Sequence, residues 1–305
     1  MNSLRFKLAF VLLAMLTWST GYARDRALPQ ERFCTPPGGS PRHSLPGNMC
    51  FQFDVAYGSN PLQKFDVYMP NTQLQDARVI VMVHGGGWWQ GDKLDTPVVR
   101  NKVQYWVPNG AIFISVNYPL VPQVTPLQQA QSVAQALGYA QQHASQWGGD
   151  PDKVILMGFS AGAHLVSLVA ADPALASSRG VQPWLGTIAL DSAAYDIPEI
   201  MGNPNHPPIY DVAFGTNVGL WNATSPLTKL RSRIAPFLAV CSSLDSYSCP
   251  RAQEFVDKAR IYGAEASVLP QNLVHGQINA NLGLPSNYTT QVNAFMANLY
   301  YRTLL

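Results

Sequence analysis

Five short apolar runs, separated by longer stretches of helical period, constrain this 305-residue chain more than any other feature. They are Val79–Val83 (VIVMV), Ile112–Val116 (IFISV), Val154–Met157 (VILM), Thr187–Leu190 (TIAL) and Phe237–Val240 (FLAV). Each is nearly continuous rather than alternating, the pattern of strands buried on both faces in a parallel sheet covered by helices. Between them, Leu127–His143 repeats apolar residues close to the helical period, and Ala161–Ala171, Pro250–Tyr262 and Asn287–Arg302 read as further helices. Alternating strands and helices require right-handed crossovers, so the expected class is α/β, a mostly parallel central sheet with helices on both faces. Two alternating runs, Phe51–Tyr57 and Phe65–Met69, predict a hairpin ahead of it. A 47% hydrophobic and 12% charged composition supplies the core and excludes a coiled coil or a disordered chain.

The expected organisation is a signal peptide over 1–23, an irregular Cys/Pro-rich arm over 24–50 and one domain over 51–305. Arg5 and Lys7 precede the nine apolar residues Leu8–Leu16, and Gly21-Tyr22-Ala23 offers small residues for cleavage after about Ala23. Nine residues fall well short of the roughly 20 a membrane-spanning helix needs, so stable membrane anchoring is not expected. Without that segment Lys+Arg falls from 20 to 18 and equals the 18 Asp+Glu, which gives no reason to expect a nucleic-acid partner. Export to the periplasm or outside the cell fits the four cysteines, which pair most simply as Cys34 with Cys50 and Cys241 with Cys249. No ligand spacing for a metal accompanies them. Five prolines and no strong period mark 195–233 as a small lid.

Three local sequences carry chemistry. Gly158-Phe159-Ser160-Ala161-Gly162 follows a buried strand and opens an apolar helix, the setting in which a sharp turn presents a nucleophilic serine, Ser160. His84-Gly85-Gly86-Gly87-Trp88 follows the strand VIVMV, and its glycines let main-chain N–H groups approach a developing oxyanion. Gly86 and Gly87, with Ala161 after the nucleophile, are the expected donors; His84 is expected to shape the loop. Trp88 or Trp89 is expected to line a substrate pocket, Trp88 being the binding candidate, with packing as the other reading of both. His275 is the expected base. Asp245, just past FLAV, is the expected acid, with Asp191 at the end of TIAL as the rival carboxylate. His43, His143, His164 and His206 read as surface or packing residues.

HGGGWWQGDK (His84–Lys93), NYPL (Asn117–Leu120), GGDPDKVILMGFSAGAHL (Gly148–Leu165) and HGQINANLG (His275–Gly283) together resemble the esterase/lipase group of the α/β hydrolases. The resemblance runs from about Phe51 to the C-terminus. It is nearest to hormone-sensitive-lipase-like esterases, feruloyl and acetyl-xylan esterases and kynurenine formamidase. It implies the α/β-hydrolase fold, a Ser-His-Asp acyl-enzyme mechanism, no cofactor, and small-molecule short-chain or aryl esters as substrates. Cys241 and Ser242 stand where relatives often carry His-Gly before the acid, which suggests a Cys241–Cys249 bridge bracing the Asp245 loop. An amidase, arylformamidase or peptidase on the same triad, and an inactive binding module, are the competing expectations. Oligomeric state is left open.

Overall fold

The computed structural model describes residues 33–34, 49–72 and 74–302, so the expected signal peptide and most of the arm lie outside the described residues. In chain order the first strands are β1 (Phe33–Cys34), β2 (Met49–Ala56), β3 (Lys64–Pro70) and β4 (Ala77–Val83). Helix α1 (Thr96–Trp106), β5 (Ala111–Val116), α2 (Pro126–His143), β6 (Gly149–Phe159), α3 (Ala161–Ala171), α4 (Pro173–Ser177) and β7 (Gly186–Leu190) follow. Four short helices come next, α5 (Ile197–Gly202), α6 (Ile209–Phe214), α7 (Val218–Thr224) and α8 (Pro226–Lys229). The chain closes with β8 (Phe237–Ser242), α9 (Ser248–Ile261), β9 (Ala266–Gln271), α10 (His275–Ala280) and α11 (Asn287–Arg302).

The strands form one sheet in the order β1-β2-β3-β5-β4-β6-β7-β8-β9. β1, β2 and β3 pair antiparallel up to β5, and every pairing from β5 through β9 is parallel. The first strand extends the expected hairpin: Cys34 stands opposite Cys50, and β2 starts at Met49 rather than Phe51. Side chains alternate across the parallel strands. Val79, Val81 and Val83 pack into one core cluster with α2 and α3, while Ile80 and Met82 pack into another with α1 and α11. Both faces of the sheet are therefore dry, which is why the strands read as unbroken apolar runs.

Strand order reverses at β4, with β5 on one side and β6 on the other. A crevice opens outside the carboxyl ends of strands at such a point. The loop after β4, the turn after β6 and the loop after β7 all leave the sheet there.

Candidate active site

Ser160 occupies the N-cap position of α3, yet its side chain makes no capping hydrogen bond. An ordinary N-cap serine spends its oxygen on the first-turn N–H groups. Here the backbone is held at φ 55° and ψ −117°, a conformation that L-residues rarely adopt. The turn is tight on both sides, since a Cβ at Gly162 would sit 2.3 Å from the carbonyl oxygen of Val83. Ser160 N–H donates to Leu190 O at 2.9 Å, tying the turn to β7. Oγ is thereby freed to point outward, and the first-turn N–H groups of α3, Ala161 included, have no intrahelical acceptor.

The hydroxyl of Ser160 donates to His275 Nε2 at 3.0 Å, and His275 Nδ1 donates to Asp191 Oδ2 at 2.7 Å. Asp191 is buried, with 3% of its side chain exposed, while the imidazole remains 55% exposed toward the crevice. The second oxygen of Asp191 is held from the far side. Its Oδ1 accepts from Ser242 N–H at 2.6 Å and from the Ser248 hydroxyl in a short hydrogen bond. One carboxylate oxygen thus serves the imidazole and the other is fixed by the protein. That leaves a single tautomer, with the lone pair of Nε2 facing the serine.

The carboxylate against the histidine is Asp191, and the expectation of Asp245 is corrected. Asp245 is exposed, and its Oδ1 accepts from the N–H groups of Tyr247 at 2.7 Å and Ser248 at 3.1 Å. Its position three residues beyond β8 lets the chain turn back, so its oxygen is captured by the backbone that begins α9. Asp191 directly follows β7, the neighbour of β6 that carries the serine. The shorter path wins.

His275 is set at the start of α10, and α10 is pinned from α1. Lys102 Nζ donates to Asn279 O at 2.6 Å, Asn279 Oδ1 at 2.7 Å and Pro97 O at 2.9 Å, and Asn101 Nδ2 donates to Ala280 O at 2.6 Å. Burial pushes the Lys102 amine down to about 7. Three carbonyl acceptors nonetheless match the three donors of an ammonium.

The glycine loop after β4 borders the crevice on the other side. Gly86 has φ 110°, and a Cβ there would lie 2.0 Å from Gln90 O, so only glycine fits. The residues that follow explain why the motif is long. Lys93 Nζ pairs with Asp66 at 2.7 Å and Asp54 at 3.0 Å, its N–H donates to Asn117 Oδ1 at 2.6 Å, and Asn117 Nδ2 donates to Asp92 Oδ2 at 2.8 Å. Tyr118 donates to His84 O at 3.0 Å and stacks on the His84 ring. His84 is buried with Nδ1 against Gly85 O at 2.7 Å, so its contacts are with the loop.

A cavity of about 510 Å3 is lined by Gly86, Gly87, Ser160, Ala161, Asp191 and His275, and by Ile209 and Tyr210 of α6. Trp88 contributes to its wall but is only 4% exposed, because its indole packs among His164, Tyr210 and Phe214. Trp89 is 49% exposed and is not among the lining residues. Cys241 and Cys249 form a disulfide, and Cys50 is disulfide-bonded; the side chain of Cys34 lies outside the described residues. Among the described residues no cluster of His, Cys, Asp or Glu could hold a metal, and no helix is long and apolar enough to cross a membrane.

His164 ties three elements together. Trp88 Nε1 donates to its Nδ1 at 3.1 Å, and its Nε2 donates to Thr224 O of α7 at 2.8 Å. A proton added at Nδ1 would face the indole N–H. Burial lowers the imidazole to about 4, from the ordinary value of 6.5. The unfolded chain therefore takes up the proton first as pH falls. The stabilisation is complete above pH 6.5 and is lost as pH drops toward 4, by about 3 kcal/mol at 1.36 kcal/mol per unit. Denaturant unfolding at pH 7 and 4.5 is expected to show His164→Gln losing clearly less stability than the native chain. Equal losses would show that this histidine is not an acid-sensitive element.

Three likenesses to known proteins accompany this geometry. The protein-family profile BD-FAE matches residues 65–179, a stretch holding the glycine loop and the serine turn but ending before Asp191. Esterase LipQ of Mycobacterium tuberculosis is 29% identical over 204 residues, covering 63% of this chain and 48% of LipQ. Isoprenylcysteine alpha-carbonyl methylesterase ICME of Arabidopsis thaliana is 23% identical over 251 residues, covering 75% of this chain and 56% of that protein. The chain thus spans about half the length of LipQ and of ICME. An inhibited esterase B from Lactobacillus rhamnosis superposes with a TM-score of 0.69 at 22% identity, over 85% of this chain and 90% of that one. The fold is that of the α/β hydrolases. In sequence the chain is similar to proteins of the esterase/lipase group with that fold.

Proposed function

We propose that the protein hydrolyses short-chain or aryl carboxylic esters through a covalent acyl-enzyme. The observation that carries this is the relay Ser160 Oγ–His275–Asp191, with links of 3.0 and 2.7 Å, opening onto the cavity beside the glycine loop. Ser160 Oγ attacks the ester carbonyl as His275 Nε2 takes its proton, and Asp191 stabilises the imidazolium while keeping the Nδ1 proton. Charge on the carbonyl oxygen is met by the N–H groups of Gly86, Gly87 and Ala161. The imidazolium then protonates the departing alkoxide, leaving Ser160 acylated. A water molecule, deprotonated by the same nitrogen, attacks the acyl carbon and restores the serine. No cofactor is needed in this cycle. A cavity of about 510 Å3 suits a small ester.

Export is part of the proposal. The basic, apolar, small-residue pattern of residues 1–23 supports it, as does a disulfide between Cys241 and Cys249, which an oxidising compartment preserves.

A fluorophosphonate probe is expected to label Ser160, as read by peptide mapping, and prior labelling is expected to abolish hydrolysis of p-nitrophenyl acetate and butyrate. Turnover of matched anilides and formanilides is expected to be slower by at least tenfold. Labelling elsewhere, or no ester turnover across chain lengths from two to ten carbons, would defeat the reading.

A further inference from the structure

The segment that joins β8 to α9 does more than connect them. Cys241, the penultimate residue of β8, is bonded to Cys249, the second residue of α9, closing a loop of eight residues' separation. Each cysteine adjoins one of the two donors that hold Asp191. Ser242 follows Cys241 and gives its N–H to Oδ1; Ser248 precedes Cys249 and gives its hydroxyl to the same oxygen. All three side chains of this arrangement are buried, with Asp191 and Ser248 at 3% and Ser242 at 1% exposure. Further bonds tighten the loop from within. Ser242 Oγ donates to Leu273 O at 2.7 Å, two residues before His275, and Leu244 N–H donates to Ser242 Oγ at 3.2 Å. Asp245 accepts from Ser248 N–H at 3.1 Å, which fixes the residue whose hydroxyl reaches Asp191.

We infer that this disulfide-closed loop is a clamp that positions Asp191, with Ser248 as its contact residue, and that turnover therefore depends on the oxidation state of Cys241 and Cys249. Ser248 is a positioning residue: it borders the cavity, but its hydroxyl is spent on Asp191 and acts on the reacting groups through that carboxylate. A buried carboxylate oxygen stripped of a charge-assisted donor rotates or draws in water, and either disturbs the bond to His275 Nδ1. Reduction by dithiothreitol moves two electrons to the disulfide, yielding two thiols and the cyclic oxidised reagent. The short tether then opens. Ser242 stays in the sheet, but Ser248 is then held by the helix it begins and by the single bond from its N–H to Asp245. The inference rests on the proposed acyl-enzyme reading.

The test is a double-mutant cycle on p-nitrophenyl butyrate hydrolysis, below the unfolding midpoint of each variant. Ser248→Ala, and separately Cys241→Ala with Cys249→Ala, are expected to lower kcat roughly tenfold to a hundredfold with KM within about threefold. In an Asp191→Ala background the same changes are expected to alter kcat by less than about threefold, because the clamp has nothing left to hold. A residue with a merely structural role would cost the same factor in both backgrounds, and that result overturns the inference. Native enzyme treated with dithiothreitol is expected to lose the same factor and to regain it on reoxidation; full kcat with two titrated thiols at these positions also overturns it. Ser160→Ala is run beside them. Turnover surviving in Ser160→Ala would instead remove the acyl-enzyme reading itself, which separates the two failures.

Discussion

Asp191→Asn is expected to lower kcat/KM by about 10^3- to 10^4-fold, whereas Asp245→Asn is expected to stay within about threefold of the native enzyme. The two carboxylates follow neighbouring strands at the same edge of the sheet, and burial and hydrogen bonds distinguish them: Asp191 is buried and Asp245 exposed. Asparagine at 191 offers an amide to both sides. Whichever way it is turned, either His275 loses its acceptor and presents the wrong tautomer, or Ser242 N–H and the Ser248 hydroxyl lose theirs. Asparagine at 245 keeps a carbonyl oxygen for Tyr247 N–H and Ser248 N–H, so the turn into α9 survives. Steady-state kinetics on one aryl ester decides the matter, with unfolding midpoints to show that both variants are folded. A large loss at 245 with a small one at 191 would return the acid role to Asp245 and reverse the assignment made from the geometry.

Much of this arrangement is legible in the sequence, and the exceptions have physical causes. The five apolar runs fall inside β4, β5, β6, β7 and β8 because those strands are dry on both faces, which leaves no alternation to confuse them with surface strands. β9 is a weak signal because it is the edge strand and mostly half-buried. Helix α1 is hidden by Lys102, a lysine that reads as a surface residue yet is fully buried against Asn279. The serine turn announces itself because its glycines are fixed by local contacts, and local contacts are written locally. The choice of acid is not local. It depends on how far each loop travels before it turns, and on donors 51 and 57 residues away along the chain. One signal was present: Ser242 and Ser248 each adjoin a cysteine of the pair, so a bridge between those cysteines brings two donors together. Recognising the carboxylate they serve required the sheet order, which sets β7 between β6 and β8.

Ser160→Ala is expected to reduce ester turnover by roughly 10^5- to 10^6-fold while the fold and its cooperative unfolding persist. The residual rate over water comes from the N–H groups of the glycine loop and of Ala161, which the substitution leaves in place. The backbone at this position makes a second measurement informative. Serine sits at φ 55° and ψ −117°, and alanine inherits that conformation with the same Cβ. Glycine does not share the steric cost. Residues held in such regions carry about 1–3 kcal/mol of strain, and glycine returns about 0.4–1 kcal/mol of it through the greater entropy of the unfolded chain. Ser160→Gly is therefore expected to be as inactive as Ser160→Ala but more stable by about 1 kcal/mol in denaturant unfolding. That difference would mean the chain tolerates a less stable turn in order to hold its hydroxyl against His275 rather than against its own helix. If the two inactive variants unfold together, the strain at Ser160 is no larger than the about 0.4–1 kcal/mol that glycine gives back, and if the glycine variant is the less stable by that amount the turn stores none. If either keeps native turnover, the nucleophile lies elsewhere.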